Sequence, residues 1–226
     1  MDDRQIISIL DHTLLKPSAT LAETLQVCRE AWEWSTASAC IAPCFVAPAA
    51  AAFPQLNLCT VVGFPLGFAA TEVKIAEARA AVAAGAREID MVIRFSWVRE
   101  RQYDRIAGEI AAVKQAIGPA ILKVIIETCY WDEEEKTALC RAVAEGGGDY
   151  IKTSTGFGPA GAELADIALF KRCLPPQVKI KAAGGIRTLE ALRQFAAAGC
   201  HRIGSSNALA LLAAKLQREG KKPGCR

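Results

Sequence analysis

The sequence predicts an α/β fold closed into one barrel of parallel strands, and three observations predict it. Short apolar runs alternate with alanine-rich, helix-like stretches eight times along the chain, and eight strand–helix units are the number that closes a parallel sheet on itself. The strands carry ionisable side chains at alternate positions, which puts an apolar face and a charged face on each. The length of 226 residues, 52% of them apolar and 23% charged, suits one domain with a sizeable core. The expectation is a single-domain (β/α)8 TIM barrel over residues 1–219, with residues 220–226 as a flexible C-terminal tail.

The candidate strands in order are 11–15 (DHTLL), 38–42 (SACIA), 58–63 (LCTVVG), 87–93 (REIDMVI), 121–127 (ILKVIIE), 149–153 (DYIKT), 178–182 (VKIKA) and 201–205 (HRIGS). Helical stretches are expected near 19–33, 45–53, 71–84, 99–117, 132–146, 161–172 and 188–198, with another from about 207. Thr71 opens EVKIAEARAAVAA with Gly85 behind it, and Thr188 opens LEALRQFAAA with Gly199 behind it. A hydroxyl before a helix and a glycine after one are its start and stop signals.

Parity says more than the count. Ile89, Met91 and Ile93 share one face of the fourth strand and Glu88, Asp90 and Val92 the other; Leu122, Val124 and Ile126 alternate with Lys123, Ile125 and Glu127. Val178 and Ile180 alternate with Lys179 and Lys181. With the apolar face against the helix shell, the interior receives Glu88, Asp90, Lys123, Glu127, Lys152, Lys179 and Lys181. An open sheet with one solvated face also produces alternation, but parallel sheets joined by helices are covered on both sides.

Function classes narrow from the totals. A formal charge of +3, part of it in the terminal GKKPGCR, argues against nucleic acid as a partner. The opening MDDRQIISIL has no basic, then apolar, leader pattern, and no run approaches a membrane span. Nine cysteines at 28, 40, 44, 59, 129, 140, 173, 200 and 225 form no C-x-x-C pair. Cys40 and Cys44 could supply two metal ligands but lack a second pair, so free, largely buried thiols in a reducing cytoplasm are expected, with no metal and no cofactor.

Lys123, Lys152 and Lys181 lie 29 residues apart each time, one βα unit between neighbours. Clustered ammonium groups repel, and the least solvated of them gives up its proton most readily. A neutral lysine amine attacks carbonyl carbon to form a Schiff base, and Asp90 offers a carboxylate for proton transfer. A buried ion-pair network in which Asp90 and Glu127 neutralise the lysines fits the same residues. Gly184-Gly185 after the seventh strand and Gly204-Ser205-Ser206 after the eighth bring backbone N–H groups and helix starts together, as phosphate sites in barrels do. Simple turn geometry would also call for the glycines.

The stretches DHTLLKP (11–17), VVGFPLG (61–67), EIDMVI (88–93), LKVIIET (122–128), YIKTSTGF (150–157), KAAGGIRT (181–188) and RIGSS (202–206) resemble deoxyribose-phosphate aldolase in its shorter bacterial form. The resemblance implies a class I aldolase that cleaves 2-deoxy-D-ribose 5-phosphate to acetaldehyde and D-glyceraldehyde 3-phosphate in deoxyribonucleotide catabolism. It further implies a cytoplasmic homodimer or larger homo-oligomer whose partners are a sugar phosphate and aldehydes. On matching positions it implies Lys152 as Schiff-base lysine, Lys181 as its activating neighbour and Asp90 as proton carrier. It implies phosphate on Gly184, Gly185, Gly204 and Ser206 with Ser205 alongside, Thr155 lining the sugar site, and Lys123, Asp11 and Thr13 in a supporting polar network. Arg94, Ala42, Asn207 and the segment GFGPAGAE depart from the family pattern, which leaves a shifted aldehyde preference, or a silent sugar-phosphate-binding barrel, as alternatives.

Overall fold

The eight strands close edge to edge in chain order, β1 against β8, with every pairing parallel. A computed structural model describes residues 1–220; the tail expected at 220–226 and Cys225 lie, apart from Gly220, outside the described residues. The strands are β1 (Leu10–Leu14), β2 (Ser38–Ile41), β3 (Leu58–Val62), β4 (Glu88–Val92), β5 (Ile121–Ile125), β6 (Tyr150–Lys152), β7 (Lys179–Ala183) and β8 (Arg202–Ser205). The helices are α1 (Asp3–Ser8), α2 (Leu21–Trp34), α3 (Val46–Ala52), α4 (Thr71–Ala83), α5 (Phe95–Arg99), α6 (Tyr103–Ile117), α7 (Glu133–Glu145), α8 (Leu164–Cys173), α9 (Leu189–Ala197) and α10 (Ala208–Arg218).

All eight expected strands are present, within one or two residues of their expected ends. Three helical expectations need correction. Helix α1 precedes β1 and was not foreseen: Asp2 and Gln5 form a reciprocal capping box, and Asp3 ties it to Arg193 of α9 and Lys215 of α10. The helix expected near 99–117 starts at Tyr103 as α6, because Arg101 turns left-handed (φ 53°), and a short helix, α5, that was not expected ends at Arg99. Thr71 does not cap α4; Ala70 holds that position, and the Thr71 hydroxyl reaches Glu109 on α6. Thr188 does cap α9, through Ala191 N–H at 3.1 Å.

The apolar faces of the strands and helices form one continuous core between barrel and shell. It includes Ile89, Met91, Leu122, Val124, Ile151, Ile180 and Ile203, all nearly or fully buried. Inside, Cys40, Cys59 and Val61 make a small apolar patch on β2 and β3, with Leu15 and Phe64 above it. The rest of the interior is charged: Asp11, Glu88, Asp90, Lys123, Lys152 and Lys181 are buried. Two expected interior residues sit elsewhere. Lys179, at the first residue of β7, is exposed and lies over the Tyr150 ring at 5.7 Å. Glu127 falls beyond the end of β5 and turns left-handed (φ 55°).

Register decides depth. Lys152 and Lys181 are Cα partners across β6 and β7, whereas Lys123 pairs with Tyr150, two residues earlier on β6. The equal 29-residue spacing therefore does not put the three amines at one level, and Lys123 sits lower. At the upper rim, Gly67 (φ 72°) brings the β3–α4 loop against β4; a Cβ there would lie 2.0 Å from the Ile93 carbonyl oxygen. Gly67→Ala is expected to destabilise the protein by about 2–4 kcal/mol, read by chemical denaturation, because backbone cannot yield as a side-chain tip can.

Candidate active site

Strand direction places the carboxyl ends of β1, β6, β7 and β8 around one cavity of about 290 Å³. Lys152 and Lys181 form its floor, and Thr155, Gly184, Gly185, Gly204 and Ser206 line its wall. Thr13, Lys16, Phe157 and Arg187 stand nearer its mouth. A larger depression of about 430 Å³ lies between α1 and α10, among Asp2, Asp3, Lys215 and Glu219. It contains no strand-end residue, so the chemistry belongs to the barrel mouth.

Beneath the cavity, three lysines meet on one carboxylate. Asp90 Oδ2 lies 2.7 Å from both Lys152 Nζ and Lys181 Nζ, and its Oδ1 is 2.9 Å from Lys123 Nζ. Cys59 Sγ adds a donor to Oδ1 at 3.2 Å. Burial would push the Asp90 carboxyl up, but Lys123, Lys152 and Lys181 hold it well below the usual carboxylate range. One step lower, Asp11 receives Lys181 Nζ at 2.5 Å, Arg202 at 2.5 Å and the Ser38 hydroxyl at 2.8 Å. Glu88 receives Lys123 Nζ at 2.6 Å, Arg202 at 2.8 Å and Asn57 Nδ2 at 2.6 Å. Burial acts against charge at Lys123 and Lys181, yet the surrounding carboxylates hold both amines above their ordinary range.

Repulsion among bare ammonium groups was the expectation from spacing; carboxylates are instead interleaved between them. Asp11, Glu88 and Asp90 are matched by Lys123, Lys181 and Arg202. Lys152 shares Asp90 with Lys123 and Lys181, and of the three lysines Lys152 and Lys181 reach the cavity while Lys123 does not. Lys152 and the ion-pair network are thus parts of one arrangement. Sequence reasoning missed Arg202 and Ser38, because their partners come from strands far away in the chain.

Three other expectations change. The Thr13 hydroxyl donates to the Asp11 carbonyl at 2.7 Å, so it lines the cavity without joining the charged network. The Ser205 hydroxyl lies within 3.0 Å of both the Ile186 carbonyl and Asn207 Oδ1, and it accepts from Ala208 N–H at 3.2 Å. It fastens the start of α10, which leaves Ser206 as the free hydroxyl. Gly204 is needed for closeness rather than a left-handed turn, since a Cβ there would meet Lys181 Cε at 3.2 Å and Ala183 Cβ at 3.1 Å. Gly184 and Gly185 do have positive φ, 85° and 73°.

The cysteines and departures also resolve. Cys44 is exposed while Cys40 is buried and faces Cys59 on the next strand, so the imagined Cys40–Cys44 ligand pair is not formed. Lys123 Nζ lies 3.2 Å from Cys59 Sγ. All eight described cysteines are free, and burial pushes the Cys28 thiol up to about 11 and those of Cys140 and Cys200 up to about 12. Arg94 stacks on Trp97 at 4.3 Å and donates to the Ala69 carbonyl; of the departing side chains Arg94, Ala42 and Asn207, Asn207 alone lines the cavity.

Comparison with known proteins matches residues 5–216 to the DeoC/LacD family aldolases. The chain belongs to that family. It is therefore an aldolase, a carbon–carbon lyase. A deoxyribose-phosphate aldolase from Clostridium botulinum (strain Eklund 17B / Type B) is 54% identical over 213 residues, covering 94% of this chain and 96% of the relative. One from Thermus thermophilus is 46% identical, covering 90% and 94%. Among solved structures, an aldolase called QR15 superposes with a TM-score of 0.90 at 35% identity, covering 95% of this chain and 97% of its own. The deoxyribose phosphate aldolase of Aeropyrum pernix, described as a unique tetramer, superposes at 0.86 with 31% identity, covering 96% and 92%.

Proposed function

We propose that this aldolase reversibly cleaves 2-deoxy-D-ribose 5-phosphate to acetaldehyde and D-glyceraldehyde 3-phosphate through a Schiff base on Lys152, in deoxyribonucleotide breakdown. The observation that carries the reading is Lys152 itself: a nearly buried amine on the cavity floor, 2.7 Å from a carboxylate that Lys123 and Lys181 already neutralise. Its amine opens onto the cavity, which places it to attack a bound carbonyl carbon.

The amine attacks C1 of the open-chain sugar, and the carbinolamine loses water to give a protonated imine. The electron pair of the C2–C3 bond then moves toward the imine, forming an enamine, while the C3 hydroxyl loses its proton and becomes the aldehyde of the released product. Protonation of the enamine at C2 and hydrolysis release acetaldehyde and return the amine. Asp90 touches Lys152 Nζ and, through a water in the cavity, would carry these protons. Lys181, held protonated by Asp11 and Asp90, supplies a fixed positive charge beside the reacting nitrogen.

The phosphate would rest on backbone N–H groups near Gly184, Gly185 and Gly204 with the Ser206 hydroxyl, where the start of α10 favours an anion. Thr155 would contact the sugar. Domain extent over 1–219, a cytoplasmic location and a homo-oligomeric state remain parts of this reading; the last is supported by the tetramer described for the Aeropyrum pernix relative. In the described residues no helix is long and apolar enough to cross a membrane. Incubation with acetaldehyde and borohydride, followed by peptide mass analysis, is expected to give one reduced adduct, on Lys152. An adduct on another lysine, or none, overturns the assignment.

A further inference from the structure

Glu127 is a buried carboxylate that the proposed chemistry leaves unused, and it is held at a conformational cost. Its backbone is left-handed (φ 55°, ψ 68°), a conformation that side chains other than those of glycine, asparagine and aspartate adopt rarely. The surroundings fix it there. Its two oxygens accept the Thr155 N–H at 3.1 and 3.3 Å, and Oε2 receives the Thr155 hydroxyl at 2.5 Å. The Thr155 oxygen in turn accepts from Phe157 N–H at 3.0 Å. Glu127 is 2% exposed and does not line the cavity, whereas Thr155 does.

A hydroxyl has one proton and two lone pairs. Thr155 has committed its proton to Glu127 and one lone pair to Phe157, so a single acceptor lone pair is left for the cavity. Such an oxygen cannot deliver a proton to a nascent alkoxide at C3, the atom whose oxygen changes protonation during the reaction. It fits the substrate hydroxyl that does not react, the one at C4, which is the 2-hydroxyl of the aldehyde product. Resting on the deoxyribose-phosphate reading above, we infer that Glu127 is a positioning residue that fixes Thr155 as a hydrogen-bond acceptor and so selects acceptor aldehydes carrying a 2-hydroxyl.

Glu127→Gln reverses the polarity while keeping the shape. The amide oxygen can still take the Thr155 N–H, but the amide nitrogen then donates to the Thr155 oxygen, and the hydroxyl proton turns to the cavity as a donor. The test is aldol addition of acetaldehyde to glyceraldehyde 3-phosphate and to its analogue lacking the 2-hydroxyl, with acetaldehyde trapping on Lys152 as the control. In Glu127→Gln, kcat/KM is expected to fall about tenfold on the hydroxylated acceptor, because the substrate hydroxyl must then accept from Thr155 and its own proton loses its partner, and to stay within about twofold on the other. Thr155→Val should show the same loss on the hydroxylated acceptor and the double variant no further loss, while acetaldehyde trapping should be unchanged in Glu127→Gln.

Equal losses on both acceptors, multiplying losses in the double variant, an unaltered preference, or a parallel fall in trapping would each overturn the role assigned to Glu127. If Glu127→Gln folds poorly, Glu127→Gly carries the same comparison, because glycine takes the positive φ without strain. A wild-type protein that uses neither acceptor refutes the substrate reading together with this one. A wild type that uses both, with Glu127→Gln unchanged, refutes this one alone.

Discussion

Lys152→Ala is expected to lower turnover of deoxyribose 5-phosphate by about four to six orders of magnitude, the scale on which removal of a covalent nucleophile acts. The fold should survive. Alanine leaves Asp90 still bound by Lys123 at 2.9 Å and Lys181 at 2.7 Å, with the charges of Asp11, Glu88 and Asp90 matched by Lys123, Lys181 and Arg202. No carboxylate is orphaned, and the space vacated opens onto the cavity rather than into the core. The stability change should therefore stay within about 1 kcal/mol, because none of the mechanisms behind large losses applies. Steady-state cleavage assays and thermal melting check both halves. Near-normal turnover would make Lys152 a structural charge, and gross unfolding would make it a member of the network that the charge count leaves out.

Asp90→Asn is expected to damage both stability and activity. The side chain is fully buried and touches three ammonium groups. Asparagine keeps the volume but removes the charge, and breaking a buried pair by removing one partner costs about 3–5 kcal/mol. For a chain of this length that is a fall in Tm of roughly 10–15 °C. Linkage sets the sign with pH. The carboxyls of Asp90 and Asp11 are held below the ordinary value of 3.8, so the folded state binds protons less readily than the unfolded chain. Their contribution is complete above that ordinary range and is lost as pH falls through the depressed folded-state range. Wild type should lose stability steeply in acid, and Asp90→Asn should start lower and fall less over the same limb. Parallel acid limbs in denaturation at a series of pH values would show that Asp90 is not the group titrating. Turnover in this variant should also drop, since the proton carrier beside Lys152 is gone.

The fold was legible in the sequence because its signals are local. Alternating strands such as EIDMV and ILKVI, helix caps such as Thr188 and glycines after α4 and α9 each act within a few residues of themselves. Boundaries were less legible where a distant partner decided them. The left-handed Arg101 moves the start of one expected helix to Tyr103, and α1 is held by Asp3 against Arg193 and Lys215, about 190 and 212 residues away. Among site residues, Lys152, Lys181 and Asp90 lie where parity and resemblance put them. Ser205 and Thr13 differ because their hydroxyls found partners nearer than any ligand, and a hydroxyl's partners cannot be read from spacing.

The sequence by itself determined which face of each strand is charged, that eight such units follow one another, and which motifs stand at the strand ends. Those are properties of a two-residue period and of chain order. Tertiary structure alone decided that Lys123, Lys152 and Lys181 converge on a single carboxylate at two different depths. Barrel register, not sequence separation, sets the height of each strand against its neighbour. It also decided that Arg202 on β8 completes the charge balance, and that Glu127 stands under strain behind Thr155. Both depend on which side chains a closed sheet brings together, and closure pairs residues of β1 and β8 that lie 193 positions apart.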